Sequence, residues 1–265
     1  MPTTYAHDLF GQKVYKKMPE KVRKVIRENG DLYRIGLHGP DIFFYYMLSK
    51  NPVSKTGIRM HGERARAFFE QKMRQVRQTG SRELFAYILG FGCHYLLDSY
   101  CHPFINEAAA QGRISHTLLE IEFDRFLMEE NGKNPYAYYP SDCIKAKGRY
   151  ARVIHQAVPQ VNTGNILISL KMMKRVTNLM VCDDGGRRRR RITWLTSLAG
   201  KKNRVWITDH MMQPQPAPGC SQPVAELNEL FEEAVSQAPQ ALMELCALTE
   251  ENKSLSERWD RTYNG

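Results

Sequence analysis

The stretch Tyr87–Ile105, YILGFGCHYLLDSYCHPFI, decides how the rest of the chain is interpreted. It is apolar around most of a helical circumference, which predicts a central, buried helix. His94, Asp98 and His102 fall at intervals of four within it. Because residues four apart lie on one helix face, we expect these polar side chains to converge.

A second segment repeats this spacing. In SHTLLEIEFDRFLM, Ser115 is the predicted N-cap, His116 lies in the first turn and Glu120 follows one turn later. Imidazole nitrogens and carboxylate oxygens are ligands that Zn²⁺ accepts, whereas an unpaired carboxylate is costly to bury. The two segments together predict a metal site that holds more than one ion.

The first part of the chain supplies further candidates. His7 is expected near the start of a helix that begins at about residue 6, and His61 in the first turn of a helix over 57–77. Asp41 follows a Gly-Pro turn and precedes an aromatic run. Taken alone, Asp41 is typical of a helix cap, so its metal role depends on the other ligands. Three histidines are expected to be structural or superficial: His38, His155 and His210.

No segment of any length has the two-residue period of a strand, and no internal repeat is present. The sequence therefore predicts an all-α fold of eight to ten helices, with residues 1–265 in a single domain. Two prolines are expected to interrupt helices: Pro103 should end the helix that carries His94, and Pro239 should break the C-terminal helical segment. Residues 182–222 are expected to form a basic, proline-rich loop or lid.

The chain carries 38 Lys and Arg against 28 Asp and Glu, a net charge of +10. Residues 220–265 hold nine acids and three bases, so the basic excess lies before them. Arg187–Arg191 is the densest basic run. It is either a solvated surface segment or a contact with an anionic membrane surface.

Nothing at the N-terminus has the basic and apolar regions of a secretory signal, and no apolar run reaches the length of a membrane-spanning helix. The expected location is the cytoplasm or the inner-leaflet membrane surface. The six cysteines lack CxxC spacing, which favours free, mostly buried thiols over disulfides or zinc ligands.

Several motifs in order resemble the bacterial zinc-dependent phospholipases C. They are TYAH from Thr4 with a following FG, GPDIFFYY from Gly39, HG at 61–62, GFGCHYLLDSYCHP from Gly90, and SHTLLEIEFD from Ser115. The resemblance implies an all-α fold with three zinc ions at the floor of a cleft. It also implies a phospholipid substrate, hydrolysed at a phosphodiester bond of the head group.

Carried over residue by residue, the resemblance implies eight ligands. The first ion would be held by Asp41, His61, His94 and Asp98, the second by His102, His116 and Glu120, and the third by His7 and Asp98. Asp41 would also be the general base. In exported members the mature N-terminal residue completes the third site. Here Met1-Pro2 would have to serve, so two or three zinc ions are expected.

Zinc lowers the pKa of a bound water from 15.7 to about 7. The expected reaction is therefore attack of metal-bound hydroxide on phosphorus, with Asp41 orienting or deprotonating the water. Two alternatives stay open. The single-strand-specific zinc nucleases share the fold and metal cluster, and the net charge suits a polynucleotide, but the GPD and EFD motifs make nucleic acid the less favoured partner. The other alternative is a non-catalytic, zinc-stabilised protein that binds anionic membranes through Arg187–Arg191.

Overall fold

A computed structural model of the chain describes residues 4–47, 52–112, 114–181, 183, 185–197, 210–212, 215–250 and 253–265. These residues form helices and loops with no strand among them, which confirms the all-α prediction. The α-helices are α1 (Thr4–Lys17), α2 (Glu20–Glu28), α3 (Gly30–Gly36), α4 (Pro52–Gly62), α5 (Ala65–Thr79), α6 (Arg82–Ala110), α7 (His116–Glu130), α8 (Gly148–Ala157), α9 (Thr163–Met180), α10 (Arg187–Ser197) and α11 (Ser221–Ala247). Short 3-10 helices cover Gly39–Tyr45, Pro140–Cys143 and Glu257–Asp260. The described residues thus hold eleven α-helices, more than the eight to ten expected.

Helix α6 is the centre of the molecule, as its sequence predicts. It is 29 residues long, and every residue from Ala86 to Ser99 is buried. Its start is fixed by Ser81, whose hydroxyl accepts a hydrogen bond from the Leu84 N–H at 3.2 Å. Helices α1, α3, α5, α7, α8 and α11 all pack against it. The ligand candidates on α6 are therefore held on an element that is fixed from several sides.

The two proline expectations are wrong. Pro103 lies inside α6, and Pro239 lies inside α11. A proline within a helix removes one backbone hydrogen bond, but buried apolar surface on both sides of it can outweigh that loss. In α11 the buried face continues through Val235, Ala238 and Leu242, and in α6 Cys101 and Ile105 are buried on either side of Pro103.

The helix expected over 57–77 is two helices, α4 and α5, that meet near residue 63. His61 consequently lies in the last turn of α4, not in a first turn. Part of the segment 182–222 that was expected to be a loop is the helix α10. At the start of α10, the Asp183 carboxylate accepts a hydrogen bond from the Arg188 N–H at 2.9 Å, as a helix-capping side chain does.

A single buried hydrophobic core extends through α1–α9, α11 and the C-terminal residues Leu255, Trp259 and Tyr263. Among the side chains that the structure describes in α10, from 187 to 196, none is buried in this core. This continuity supports one domain over residues 1–265, which stays a prediction. The described cysteines are free thiols, as expected: Cys93, Cys101, Cys143, Cys220 and Cys246. None of the described helices is both long enough and apolar enough to cross a membrane.

Glycines bring the chain close over α6 beside the candidate ligands. Helix α3 crosses α6 where Gly36 faces Gly90, and a Cβ on Gly90 would lie 2.1 Å from the Tyr33 carbonyl oxygen. Gly39, three residues after Gly36, has a φ of 45°, and a Cβ on Gly39 would lie 2.2 Å from the His94 ring. Only glycine permits both this approach and this backbone angle. The turn therefore sets Asp41 against α6.

Candidate metal centre

The eight candidate ligands come from five elements and lie in one connected cluster. Helix α6 supplies three of them, α7 two, and α1, α4 and the 3-10 helix Gly39–Tyr45 one each. Each histidine of the cluster has its Nε2 atom within 3.8 Å of a carboxylate oxygen of the cluster. The four-residue spacing places the candidate ligands of α6 on one face of that helix and those of α7 on one face of theirs, as the sequence predicts.

Asp98 is at the centre of the cluster. Its Oδ1 atom is 3.3 Å from Nε2 of His7 and 3.7 Å from Nε2 of His102. Its Oδ2 atom is 3.0 Å from Nε2 of His94 and 3.8 Å from Nε2 of His61. Each carboxylate oxygen thus faces a different pair of imidazoles, which is the arrangement that allows one carboxylate to bridge two cations.

Glu120 is the centre of the second part of the cluster. Its Oε1 atom lies 3.2 Å from Nε2 of His116 and 3.7 Å from Nε2 of His102. The rings of His102 and His116 are 5.3 Å apart. Because His102 lies near both Glu120 and Asp98, it connects the two parts of the cluster.

The potential ligand atoms fall into three groups in which all lie within 4.8 Å of one another. The groups are His61, His94 and Asp98; His102, His116 and Glu120; and His7, Asp41 and His94. The second is the grouping that the resemblance implies, and the first holds three of its four implied ligands, without Asp41. In the third, His7 is grouped with Asp41 and His94, although it also lies close to Asp98. Met1-Pro2, the expected completion of the third site, lies outside the described residues.

Three imidazoles are oriented by hydrogen bonds on their other ring nitrogen. Nδ1 of His61 lies 2.8 Å from the Gly57 carbonyl oxygen, and Nδ1 of His102 lies 3.0 Å from that of Tyr263. Nδ1 of His116 lies 3.0 Å from Oδ1 of Asn106. Since a carbonyl oxygen only accepts, each Nδ1 carries a proton, and Nε2 is the ring nitrogen that would bind a metal ion. This is the usual support of metal-binding histidines.

Buried polar atoms at the centre test whether the site fits a metal ion. Nδ1 of His7, both ring nitrogens of His94 and Oδ2 of Asp98 are buried without a hydrogen bond. Nε2 of His94 and Oδ2 of Asp98 are 3.0 Å apart, but their relative orientation does not form a hydrogen bond. Unsatisfied buried groups of this kind are costly. Divalent cations would satisfy the inward-facing lone pairs and balance the three carboxylates, so the donor set fits zinc.

The carboxylates are in the charge state that a metal ligand requires. Burial acts to raise the pKa of Asp98, but the imidazoles of His102 and His94 hold that pKa well below its usual range. Burial likewise opposes ionisation of Glu120, whose pKa is nevertheless held low with help from its hydrogen bonds to His102 and His116. Burial lowers the pKa of His94, which favours the neutral imidazole that binds metal.

Asp124, one helical turn after Glu120 on α7, supports the cluster indirectly. Its two carboxylate oxygens accept hydrogen bonds from the backbone N–H groups of Tyr5 at 3.1 Å and Ala6 at 2.8 Å. These groups belong to the first turn of α1, immediately before His7. Burial raises the pKa of Asp124, whereas the hydrogen bonds from Ala6 and Tyr5 favour its ionised form.

The other histidines lie outside the three groups of potential ligands. His38 is 1% exposed, and burial lowers its pKa to about 3, so it is a neutral core residue. Nδ1 of His155 is 2.8 Å from the Val161 carbonyl oxygen. His210 lines an apolar pocket. Sequence reasoning missed Asn106 and Tyr263, because neither stands at a ligand spacing.

Comparison with known families agrees with this geometry. The family model described as zinc dependent phospholipase C matches residues 6–164, more than half of the chain. The chain belongs to the zinc-dependent phospholipase C family. All eight candidate ligands lie within the matched residues, whereas α10 and α11 lie beyond them. No curated protein and no solved structure matches the chain. Membership confirms the resemblance and supports a zinc-dependent hydrolase.

Proposed function

We propose that this protein is a phospholipase C that hydrolyses the phosphodiester bond of phospholipids and releases the phosphorylated head group. The observation that carries the proposal is the cluster centred on Asp98, in which five imidazoles and three carboxylates lie in contact range. We assign zinc to these eight residues, with two or three ions. Family membership supports both the metal and the class of substrate.

Bound zinc would supply Lewis acidity and a nucleophilic water at neutral pH. The chain's own contribution includes Asp41, whose Oδ1 lies 3.1 Å from Nε2 of His61. Burial opposes ionisation of Asp41, but this hydrogen bond and the nearby imidazole of His94 keep its pKa low. Asp41 is therefore an ionised acceptor, placed to orient the attacking water and accept its proton. The contact between His61 and Gly57 holds that imidazole, and with it Asp41, in position.

Anionic membrane surfaces are the proposed place of action. Arg187–Arg191 forms the first turns of α10, and Trp194 and Leu195 on the same helix are 65% and 57% exposed. Arginines attract anionic head groups, and exposed tryptophan and leucine side chains insert at the membrane interface. A single-strand nuclease is the second candidate, since the net charge of +10 also suits a polynucleotide.

The test is zinc content per chain, measured together with release of phosphorylated head groups from mixed phospholipid vesicles. We expect two or three zinc ions and turnover that a chelator abolishes and added zinc restores. Zinc without turnover on any phospholipid would reject the phospholipase proposal. Hydrolysis of single-stranded nucleic acid would then identify the nuclease, and salt-sensitive vesicle binding alone would identify the non-catalytic alternative.

A further inference from the structure

An apolar pocket lies next to the metal centre and has no role in the chemistry described above. Its cavity volume is about 120 Å³, and the pocket is partly open to solvent. Its walls combine residues of the 3-10 helix Gly39–Tyr45, α7 and the end of α9, and they are rich in methionine and aliphatic side chains. They include Phe44, Ile121, Met128, Val176, Met180 and Met212.

The pocket and the cluster share a wall. The ring of Phe44 lines the pocket, and its centroid lies 5.2 Å from that of the ligand candidate His61. Ile121 also lines the pocket and directly follows Glu120. On the same wall, Asp124 binds the first turn of α1 just before His7. The pocket therefore adjoins the cluster on the side of Phe44 and Ile121.

The mouth of the pocket has the composition of a surface that contacts lipid. Met47 lines the pocket and is 49% exposed, and the exposed Leu179 precedes the lining residue Met180. Helix α10 is attached beside it, because the Arg188 guanidinium donates to the carbonyl oxygens of Asn178 at 3.1 Å and Val181 at 3.2 Å. The arginine-rich helix and the pocket thus meet at the end of α9.

We propose that this pocket binds one acyl chain of the phospholipid whose head group is hydrolysed at the metal centre; the assignment rests on the proposed function. Flexible methionine side chains adapt to a flexible hydrocarbon chain. Single-stranded nucleic acid would instead favour a positively charged groove with aromatic rings on which successive bases stack, whereas these walls are mainly methionine and aliphatic side chains. The lining residues of α9 lie beyond the residues matched by the family model, so the pocket is formed in part by this chain's own C-terminal half.

Binding of 1-monoacylglycerols tests the pocket without catalysis. Monoacylglycerols with acyl chains of eight, ten and twelve carbons are compared. The readout is their displacement of a dansyl-labelled undecanoic acid from the zinc-loaded full-length protein. Each buried methylene should raise affinity about fourfold. Val176→Phe fills the pocket and Met47→Glu charges its mouth, so each should weaken binding at least roughly tenfold. Met243→Phe, which places the same ring at an exposed site on α11 away from the pocket lining, is the matched control and should stay within about twofold.

Hydrolysis then separates this proposal from the proposed function. We expect Val176→Phe to lower, at least roughly tenfold, the ratio of kcat/KM for dihexanoyl phospholipids to kcat/KM for the chainless bis(p-nitrophenyl) phosphate. A protein that cleaves phospholipids but binds monoacylglycerols without chain-length dependence, or an unchanged ratio in Val176→Phe, would overturn the acyl-chain assignment alone. Chain-length-dependent binding that Val176→Phe weakens, in a protein that cleaves no phospholipid, would support an acyl-chain pocket and reject the proposed function.

Discussion

Asp41 and Asp98 belong to the same cluster, but their surroundings give them different roles. The Asp98 side chain is 4% exposed and is surrounded by four imidazoles within 3.8 Å. The Asp41 side chain is 13% exposed and lies 3.1 Å from His61. The first is placed to hold cations together, whereas the second remains accessible to a water molecule. Substitution by the isosteric amide should separate these two roles.

Asp41→Asn should retain most of the zinc, because the other seven ligands remain and the amide keeps an oxygen at this position. It should lose at least about 100-fold in kcat, which is the usual contribution of a general base. Asp98→Asn should instead lose zinc, because the amide can no longer balance the charge of two cations. Zinc per chain and steady-state turnover distinguish the two variants, with Asp142→Asn on an exposed site as the control. Normal turnover in Asp41→Asn would contradict its role as base.

Substitution of Asp124 tests whether the first turn of α1 positions His7. In Asp124→Asn the remaining amide oxygen can accept from only one of the two N–H groups, those of Tyr5 and Ala6. The amide NH₂ group would face the other N–H group and cannot accept from it. Leaving one buried N–H group unsatisfied should lower the free energy of unfolding by about 1–3 kcal/mol. The substitution should also weaken the binding of one zinc ion more than that of the others, as measured by titration with a competing chelator. Equal weakening of every zinc ion would show that Asp124 has only a general structural role.

At the scale of elements, the crossing of α3 and α6 fixes the geometry of the site. A Cβ on Gly90 would lie 2.1 Å from the Tyr33 carbonyl oxygen and 3.1 Å from Cα of Gly36. Backbone atoms cannot move aside as a flexible side chain can. Gly90→Ala should therefore force the helices apart and lower the free energy of unfolding by about 1–3 kcal/mol or more.

The matched control for that crossing is Gly30→Ala, at the start of α3, where a Cβ would meet no atom within 4 Å. This variant should be neutral or slightly stabilising, since alanine restricts the unfolded chain more than glycine does. Urea denaturation of both variants measures the difference. A Gly90→Ala protein as stable as Gly30→Ala would mean that the helices tolerate a wider separation than the structure indicates.

Helical spacing predicted the parts of the site that have a local period, whereas the metal roles of His7, Asp41 and His61 were expected from the resemblance. His94, Asp98 and His102 on one helix, and His116 and Glu120 on the next, need only a spacing of four. The carbonyl of Tyr263 that orients His102 comes from 161 residues away, and no local pattern points to it. The predicted helix ends failed at Pro103 and Pro239 for the same reason. Long-range packing against other helices, which local propensity does not contain, keeps those helices continuous.

At the scale of the whole molecule, charge is divided between different parts of the chain. Residues 220–265, which include α11, carry a net negative charge, whereas Arg187–Arg191 concentrates positive charge on α10. Helix α10 packs none of its described side chains into the core, and its arginines lie on the same element as two exposed apolar side chains. Such a division orients a protein on an anionic surface, with the basic face toward the lipid.

The double variant Arg187→Gln/Arg191→Gln tests this orientation, since both residues are exposed. Each arginine near an anionic membrane contributes about 1 kcal/mol, so the affinity for vesicles containing phosphatidylglycerol should fall roughly 30-fold. Co-sedimentation in the Asp41→Asn background measures binding apart from hydrolysis, and Lys16→Gln/Lys17→Gln on α1 removes the same charge elsewhere. The wild-type affinity should also fall at high salt, because about 1 M salt shortens the Debye length from ~10 Å to ~3 Å. Equal losses in the two double variants would mean that net charge alone, and not α10, attracts the protein to the membrane.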